Sequence, residues 1–497
     1  MSNEYKTPGV YVQEVNPLPM SVVAVETALP VFVGYTEKWK KNDISLIGEP
    51  IRISSFIEFE EIFGGACQHR FTIDLPVTDS AVPLVFDPSM ISGPDERFYL
   101  FHCMLLFFQN GGGDCFILSL GGYDGDDSVQ RINADDFKKL GVFEKLTSTP
   151  GPSLILAPDF VSHRDSCYLL YQDMLKFCAD TKSCFAILDV IPDDTDVDSA
   201  ATIQHFRDAI GESNRSYGAA YYPWLNTSVV GQTQVSLANL DIYPTDLKKI
   251  LPEQAALKAL DEYNAVPGCD TATEQAIKLS ELHNTLVQSS IVYKQIMETI
   301  SSRLNLLPPG AAIAGIYTTV DLTLGPWKAP ANVSIASVQS ASVKITGRHQ
   351  ENMNVDPVAG KSVNAIREFE GRGIIVWGAR TLDGNSNDWR YISVRRTLMM
   401  IEQSLILACK AWVFEPNDAG TWVKMKGMMQ NFLTGLWRQG ALQGSKPEEA
   451  FHVKLGLGES MTAADMQNGL LKAIVMIAML RPGEFISFEL VQHQQMQ

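Results

Sequence analysis

Two aspartates stand where an α/β protein often keeps its active site. Asp159 follows the apolar run at residues 154–158, and Asp189 follows the apolar run at residues 185–188. If both runs are strands of an open parallel sheet, the two carboxylates lie at its carboxyl edge, where ligands bind in such folds. Two carboxylates there could hold a divalent metal for a metal-dependent enzyme. The alternative is that each aspartate caps the helix after its strand, as aspartate commonly does.

Other patterns that suggest chemistry are incomplete. The segment Asn110-Gly111-Gly112-Gly113 is not followed by the lysine and hydroxyl residue of a phosphate-binding loop, which favours a tight turn. In Gly456-Leu457-Gly458 the third glycine of a dinucleotide-binding fingerprint is missing, because position 461 is Met461. HExxH and GxSxG motifs are absent from the sequence.

An acidic segment resembles a calcium-binding loop only in part. Asp194, Asp196 and Asp198 alternate as calcium ligands do, but the required glycine is missing. His205 stands where the bidentate glutamate belongs. A solvated loop or a helix cap is the better interpretation. The sequence therefore predicts no catalytic residue, no cofactor and no metal, and we expect the protein not to be an enzyme.

Composition excludes several classes of partner. The 497 residues are 45% hydrophobic and 20% charged, as in ordinary folded proteins, and the net charge is -17. A protein this acidic lacks the basic surface that nucleic acids or anionic membranes require. No targeting pattern opens the sequence, and the eight cysteines form no CxxC pair. We expect buried free thiols, no membrane insertion, and synthesis in a reducing cytoplasm.

The middle of the chain alternates strand and helix patterns. Strands are predicted at residues 115–120, 153–157, 184–190 and 217–224, and helices at residues 163–179 and 200–210. Apolar strands separated by amphipathic helices indicate a parallel sheet covered on both faces. A helical hairpin is predicted between about 240 and 307, with one apolar stripe from Leu279 to Leu304. Three later segments are β-prone: residues 311–319, 332–335 and 342–346.

Three helices are predicted in the last third. The first is capped by Asn387 or Asp388, and the second is capped by Asn417 and ends at Gly440. Thr462 and Asp465 form a capping-box pattern before the third, which extends to the break at residues 481–483. Lys472 interrupts the otherwise apolar course of that third helix.

Both ends of the chain read as strands set apart by prolines. The run at residues 10–15 contains Val10, Tyr11, Val12 and Val15, and residues 16–19 break it with two prolines. A second β-prone run covers residues 21–35. The last strand is predicted at residues 484–492, with Ile486, Phe488 and Leu490 on one face. Such terminal strands must find a sheet edge in their own chain or in a neighbouring copy.

Short segments along the whole chain resemble the contractile tail sheath family, which includes phage tail sheaths, R-type pyocin sheaths and extracellular contractile injection systems. The matching segments are Tyr5-Lys6-Thr7-Pro8-Gly9-Val10-Tyr11-Val12-Gln13-Glu14, Phe107-Phe108-Gln109-Asn110-Gly111-Gly112, Tyr221-Tyr222-Pro223-Trp224, Pro308-Pro309-Gly310-Ala311, Gly325-Pro326-Trp327-Lys328-Ala329-Pro330-Ala331-Asn332, Val376-Trp377-Gly378-Ala379-Arg380-Thr381-Leu382, Arg395-Arg396, Phe414-Glu415-Pro416-Asn417 and Arg481-Pro482-Gly483-Glu484-Phe485-Ile486. Only residues from about 230 to 307 lack a counterpart, and they resemble a lineage-specific insertion.

The resemblance implies a mechanical role. Sheath subunits form stacked six-membered rings around an inner tube, and a baseplate trigger lets the sheath shorten and drive the tube through a target envelope. Terminal arms exchange strands between neighbouring subunits. The implied partners are further copies of this chain, the inner tube protein, and baseplate and terminal cap proteins. The sheath is assembled in the bacterial cytoplasm, and the final particle is extracellular, envelope-anchored or a virion tail.

These expectations combine into a multidomain α/β and α+β fold. We predict an N-terminal arm at 1–20, an outer α/β region at 21–365 with a helical insertion at about 238–307, a C-terminal sheath domain at 366–483 and a strand arm at 484–497. Exchanged strands would complete the C-terminal domain, and Lys472 is a candidate contact to the inner tube. Length and insertion favour an injection system, with a phage tail as the alternative. A soluble small-ligand module is the alternative from another class.

Overall fold

The computed structural model describes residues 21–74, 86–94, 96–123, 132–192, 199–265, 272–485 and 487. Packing divides them into two compact units. We call Glu26–Met400 together with the described residues from 481 onward the body unit, and Ile401–Leu480 together with residues 21–25 the small unit. The predicted arm at Val10, Tyr11, Val12 and Val15, and Ile486, Phe488 and Leu490, lie outside the described residues.

The strands are short and are numbered in chain order. They are β1 (Pro30–Gly34), β2 (Lys40–Lys41), β3 (Ile44–Ser45), β4 (Pro50–Ile53), β5 (Thr72–Ile73), β6 (Ile91–Ser92), β7 (Cys115–Ser119), β8 (Leu154–Leu156), β9 (Phe185–Asp189), β10 (Gly218–Tyr222), β11 (Leu225–Thr227), β12 (Leu306–Leu307), β13 (Val333–Ser334), β14 (Val338–Ala341), β15 (Val363–Phe369), β16 (Gly373–Trp377), β17 (Phe451–Lys454) and β18 (Ile474–Ile477).

The α-helices are numbered in the same way. They are α1 (Phe56–Phe63), α2 (Leu100–Gln109), α3 (Asp135–Lys139), α4 (Val142–Ser148), α5 (Arg164–Thr181), α6 (Ser199–Ala209), α7 (Pro244–Leu247), α8 (Gln254–Ala265), α9 (Ala272–Ser289), α10 (Ile291–Leu304), α11 (Gly310–Leu324), α12 (Gly347–Asn354), α13 (Ile392–Cys409), α14 (Ala419–Arg438), α15 (Pro447–Ala450) and α16 (Ala463–Gln467). Within the described residues, no helix is both long and apolar enough to cross a bilayer.

A nine-stranded sheet organises the body unit, in the order β13-β16-β15-β10-β9-β8-β1-β7-β4. The six strands from β15 to β7 pair in parallel, and antiparallel strands close both sides. All residues of β1, β7, β9 and β10 are buried. Since successive side chains point to opposite faces, both faces of the sheet are covered. The predicted parallel sheet and its strands are confirmed.

Helix α11 corrects the prediction of a β-prone run at residues 311–319. It is buried from Gly310 to Thr318, so its apolar residues surround the axis and leave no helical period in the sequence. Small residues let it approach α2 closely, because a Cβ on Gly315 would lie 2.6 Å from the carbonyl oxygen of Phe107. An apolar run without periodicity cannot be assigned to helix or strand from local pattern alone.

The helical insertion has a core of its own within the body unit. Leu260, Leu286, Tyr293 and Ile300 are fully buried there, which confirms the predicted helical segment. The predicted stripe is divided between α9 and α10 by Ser290, whose hydroxyl accepts a hydrogen bond from the amide of Tyr293 and so caps α10. The same core includes buried residues from elsewhere in the body unit, namely Phe71, Ile73, Ile91, Val230 and Val235.

The small unit confirms two predicted helix starts only in part. Helix α14 is capped by Asp418, one residue beyond the predicted Asn417. The capping box of Thr462 and Asp465 is present, but α16 ends at Gln467, so the predicted long third helix is wrong. Gly469 adopts φ 71°, which ends the helix, and the β-branched run at β18 then pairs with β17.

Three further expectations change in the structure. Of the β-prone residues 21–35, the strand comprises only Pro30–Gly34. The strand expected at residues 342–346 lies earlier, at β14, whereas residues 332–335 contain β13 as predicted. Helix α13 begins at Ile392 rather than after Asn387 or Asp388, because Tyr391 forms a β-bridge with Arg380.

Candidate functional site

Asp159 is a buried helix cap in the body unit. Its carboxylate accepts hydrogen bonds from the amides of Tyr35 (2.7 Å), Tyr99 (2.6 Å) and Leu100 (2.8 Å). The last two amides open α2, so Asp159 binds the positive end of that helix. Burial raises the pKa of Asp159 to about 7, although these three bonds favour the ionised form.

Asp189 plays the same part for α11. Its carboxylate accepts a 2.6 Å hydrogen bond from the amide of Gly310, the first residue of that helix, and burial raises its pKa to about 7. A metal ion would compete with the amides that both aspartates already bind. Among the described residues, no group of three potential metal ligands is formed. The geometry therefore favours a helix-capping role for both aspartates. The helices that they cap are distant in sequence and are not the ones that follow the two strands.

The glycine-rich segment after α2 is a turn, as predicted. Gly111 adopts φ 83°, and a Cβ on Gly112 would lie 2.5 Å from the ring of Phe107. The side chain of Asn110 accepts a 2.8 Å hydrogen bond from the amide of Ala336. The segment thus connects α2 to β7 and joins a distant loop. The predicted acidic residues Asp194, Asp196 and Asp198 lie outside the described residues.

A cleft of about 780 Å³ opens at the carboxyl edge of the parallel strands, where a small-ligand module would bind. Three arginines line it: Arg97, Arg164 and Arg303. Arg97 donates to the carbonyls of Arg303 (2.9 Å) and Leu304 (3.3 Å), at the C-terminal end of α10. Arg164 donates to the carbonyl of Pro192, and Arg303 donates to the carbonyl of Pro88 (3.3 Å). These hydrogen bonds hold the end of α10 and the segments at Pro88 and Pro192 in place. The three arginines therefore have a structural role.

The small unit contains one small antiparallel sheet among the described residues. Strands β17 and β18 pair in antiparallel register, with Phe451 opposite Ile477 and Lys454 opposite Ile474, and they form a sheet of two strands among the described residues. Every residue of β18 is at least partly exposed, although all four are apolar. The unit also exposes large apolar side chains outside this sheet, and these are Ile406, Leu407, Val413, Phe414, Val423, Leu457, Leu470 and Leu480. A two-stranded sheet with apolar surface is marginal alone and offers edges to further strands.

Lys472 is exposed and lies between α16 and β18, not within a helix as predicted. Its carbonyl oxygen accepts a 2.6 Å hydrogen bond from the hydroxyl of Ser460. The backbone at this position is therefore held in place while the ammonium group faces solvent.

Glu484 holds the last described segment of the body unit. The Glu484 carboxylate accepts hydrogen bonds from Arg380 Nε (2.9 Å), Arg380 Nη2 (2.7 Å), Asn354 Nδ2 (2.7 Å) and Tyr391 Oη (3.1 Å). Burial opposes its ionised form, but the bonds from Arg380 and Asn354 outweigh burial and hold the pKa of Glu484 below its ordinary value. The next residue, Phe485, is 77% exposed.

A second buried arginine holds the chain near its N-terminus. Arg396 Nη2 donates to the carbonyl of Thr27 (2.8 Å), and its guanidinium binds the Asp321 carboxylate at 2.9 and 2.6 Å. The hydroxyl of Ser153 also donates to Thr27 (2.7 Å). Sequence reasoning gave Arg380, Arg396 and Glu484 no such task. The available signal was that all three lie in segments that resemble the sheath family.

Among the described residues, the buried carboxylates cap helices, buried arginines join distant parts of the chain, and the small unit carries a two-stranded sheet with apolar surface. Comparison with known proteins finds similarity to tail sheath proteins. The phage tail sheath C-terminal domain matches residues 385–491. The tail sheath protein of Vibrio phage KVP40 is 25% identical over 150 residues, which are 29% of this chain and 21% of that protein. The match thus spans about a fifth of that relative's length.

Solved structures match nearly the whole chain. A chain of the anti-feeding prophage (AFP) baseplate structure is 28% identical, with 99% of this chain and 100% of that chain covered and a TM-score of 0.60. The AFP helical sheath in its contracted state is 27% identical, with 99% and 100% covered and a TM-score of 0.62. The PVC sheath of an extracellular contractile injection system shares the fold, at 24% identity and TM-score 0.62. Over nearly its whole length, the chain is thus similar to contractile sheath proteins.

Proposed function

We propose that this chain is the sheath subunit of a phage-like extracellular contractile injection system. In this function the subunit polymerises as stacked six-membered rings around an inner tube, and contraction drives the tube through a target envelope. One observation carries the proposal: two AFP chains, one of them from the contracted helical sheath, align with this chain from end to end. The sheath is built in the bacterial cytoplasm and acts in an extracellular particle.

A virion tail is the second candidate function. It is favoured by the phage tail sheath C-terminal domain at residues 385–491 and by the Vibrio phage relative. That relative aligns over only 29% of this chain, whereas the AFP chains align over 99%. The difference supports the injection system. Capsid genes beside the gene for this chain would support the virion tail instead.

The small-unit sheet is the proposed acceptor for terminal arms of neighbouring subunits. In this hypothesis Val10, Tyr11, Val12 and Val15 of one copy, and Ile486, Phe488 and Leu490 of another, add strands to the edges of β17 and β18. Added strands bind through main-chain hydrogen bonds and gain specificity from alternate side chains. The exposed apolar residues of β18 support this role, because added strands with apolar side chains would cover them.

Partners beyond the sheath itself follow from the same proposal. The AFP baseplate match supports association with a baseplate, and the inner tube and a terminal cap complete the set. Lys472 is the proposed tube contact, since an exposed cation in a protein of net charge -17 can meet an acidic surface.

Electron microscopy of the full-length protein tests the function directly. The purified chain, alone and with an inner tube protein, should form long helical tubes or sheath fragments. Analytical ultracentrifugation should show very large particles at moderate salt. A single monomer species at high concentration, with and without tube protein, would contradict the proposal and favour the soluble ligand-binding module.

A further inference from the structure

The C-terminal end of the body unit is held by one carboxylate. Between Arg481 and Phe485 the backbone passes through Pro482 and Gly483, and Arg481 and Gly483 are exposed. Arg481 lies 3.7 Å from Asp388, but both side chains are more than half exposed, so this pair contributes little. Glu484, by contrast, is only 21% exposed at its side chain.

The Arg380 guanidinium, which binds Glu484, is buried and held by further hydrogen bonds. The Arg380 side chain is 4% exposed, and its Nη1 donates to the carbonyls of Asn354 (3.2 Å) and Gly384 (3.3 Å). The Arg380 amide donates to the side chain of Asn364 (2.8 Å), on strand β15 of the large sheet. These bonds hold the guanidinium independently of Glu484, and it presents two nitrogens in the fork geometry that suits a carboxylate.

We propose that the Arg380–Glu484 pair is the anchor that positions the C-terminal arm for insertion into a neighbouring subunit. This inference rests on the proposed function, and it assigns Arg380, Asn354 and Tyr391 as positioning residues for assembly. The anchor fixes the backbone at Glu484, directly before the exposed Phe485, and so sets the point from which the arm extends. A pulling force that a neighbouring subunit exerts on the arm is then transmitted to the body unit through the Arg380–Glu484 contact, and not through residues 481–483.

The anchor also reduces the cost of assembly. An arm whose first residue is already fixed loses less conformational entropy when it pairs with a partner sheet than one that is free from residue 481. Weakening the anchor should therefore raise the concentration at which sheaths form without removing any contact of the arm with its partner.

Two variants and a control test this in the full-length protein. E484Q keeps the size of the side chain but removes its charge. It also places an NH2 group, itself a donor, opposite the donors of Arg380, Asn354 and Tyr391. E484D keeps the charge but is one methylene shorter. E370Q makes the same change as E484Q at an exposed glutamate of the body unit. Thermal melts of all three establish that the body unit is folded.

The first measurement is hydrogen exchange of the unassembled protein in the peptide that spans residues 481–490. We expect exchange about tenfold faster or more in E484Q, a smaller increase in E484D, and no change in E370Q. The second is the lowest protein concentration that gives sheath by sedimentation and electron microscopy. It should rise at least fivefold in E484Q, partly recover in E484D, and stay at the wild-type value in E370Q.

The outcomes separate this inference from the proposed function. If the wild-type protein forms no sheath, the proposed function fails, whatever the exchange data show. Unchanged exchange in E484Q overturns the anchor. Faster exchange in E484Q with wild-type assembly overturns its role in positioning the arm. Equal assembly defects in E484Q and E370Q also overturn it, because the effect would then not depend on the anchor.

Discussion

Asp189 and Gly310 are 121 residues apart in the chain, yet the Asp189 carboxylate accepts a 2.6 Å hydrogen bond from the amide of Gly310. A Cβ at position 310 would lie 2.7 Å from that carboxylate, so glycine is required for the contact. The bond fixes the start of α11 against the end of β9. Asp189, one of the two aspartates that suggested a metal site in the sequence, is thus part of the scaffold.

Replacing Asp189 should change how stability depends on pH. The folded-state pKa of Asp189 is about 7, above its ordinary value of 3.8, because the carboxylate is buried. Its contribution to stability is fully present below pH 4 and is lost as the pH rises through 7. In D189N this loss is absent, so between pH 5 and 8 the unfolding free energy of D189N should gain roughly 1–3 kcal/mol relative to wild type.

Comparison of the two proteins at each pH isolates the Asp189 effect. Burial lowers the pKa of His69 to about 4 and of His102 to about 3. Both histidines make the folded state less stable as the pH falls, which is opposite to the effect of Asp189. Their effect is the same in both proteins. The exposed D208N serves as the control and should follow wild type. A constant difference between D189N and wild type from pH 5 to 8 would show that Asp189 does not titrate there.

The buried pair of Arg396 and Asp321 should contribute far more stability than an exposed pair. Both side chains are 3% exposed, and R396M leaves the Asp321 carboxylate buried without its cation. We expect urea denaturation to show a loss of about 3–5 kcal/mol. In the control, R52M breaks the exposed Arg52–Asp114 pair and should cost less than about 1 kcal/mol. Similar losses in R396M and R52M would contradict the assignment.

Removing the helical insertion should leave sheath formation intact. The deletion should span residues 242–303 with a short flexible linker, since the side chain of Asn305 binds Val230 and Thr227 and must stay. Phe71, Ile91 and Val235 lose their packing partners, so they should be changed to polar residues to prevent aggregation. Loop closure itself changes stability only slowly with length. Electron microscopy is the measurement, and a folded deletion variant that forms no sheath would refute the prediction.

Charge reversal at Lys472 should weaken assembly on the tube. K472E is expected to lower extended sheath formed on tubes about fivefold, because an exposed ion pair contributes up to about 1 kcal/mol. Contracted sheath formed without tubes should be unaffected. K424E reverses another exposed lysine of the small unit and should behave as wild type. Unchanged assembly of K472E on tubes would reject Lys472 as a tube contact.

The N-terminal arm supports two linked expectations. Deletion of residues 1–15 should give a folded protein that does not assemble, because the arm's strand is lost while both cores remain. Two or three residues inserted within 16–19 should allow assembly but slacken the coupling between rings, since the two prolines there limit reach. Electron microscopy before and after triggered contraction distinguishes these states. Normal sheaths from the deletion variant would contradict strand exchange by the N-terminal arm. Normal contraction of the variant with inserted residues would contradict the idea that residues 16–19 limit reach.

The sequence by itself determined the parallel sheet, the helices between about 240 and 307 and the capping box of Thr462, because each depends on a local apolar pattern or on neighbouring residues. It also indicated the resemblance to contractile tail sheath proteins, through short segments in a constant order. The domain boundaries, the arms and the tube contact at Lys472 stay predictions.

The tertiary structure decided which groups meet across long stretches of chain. The apolar run at residues 311–319 became helix α11 because it is buried on all sides, and burial of that kind erases the helical period. Hydrogen bonds pair Asp159 with Leu100, Asp189 with Gly310 and Glu484 with Arg380, and these residues are 59, 121 and 104 positions apart. No spacing rule reports such contacts, because they arise only when strands and helices pack together.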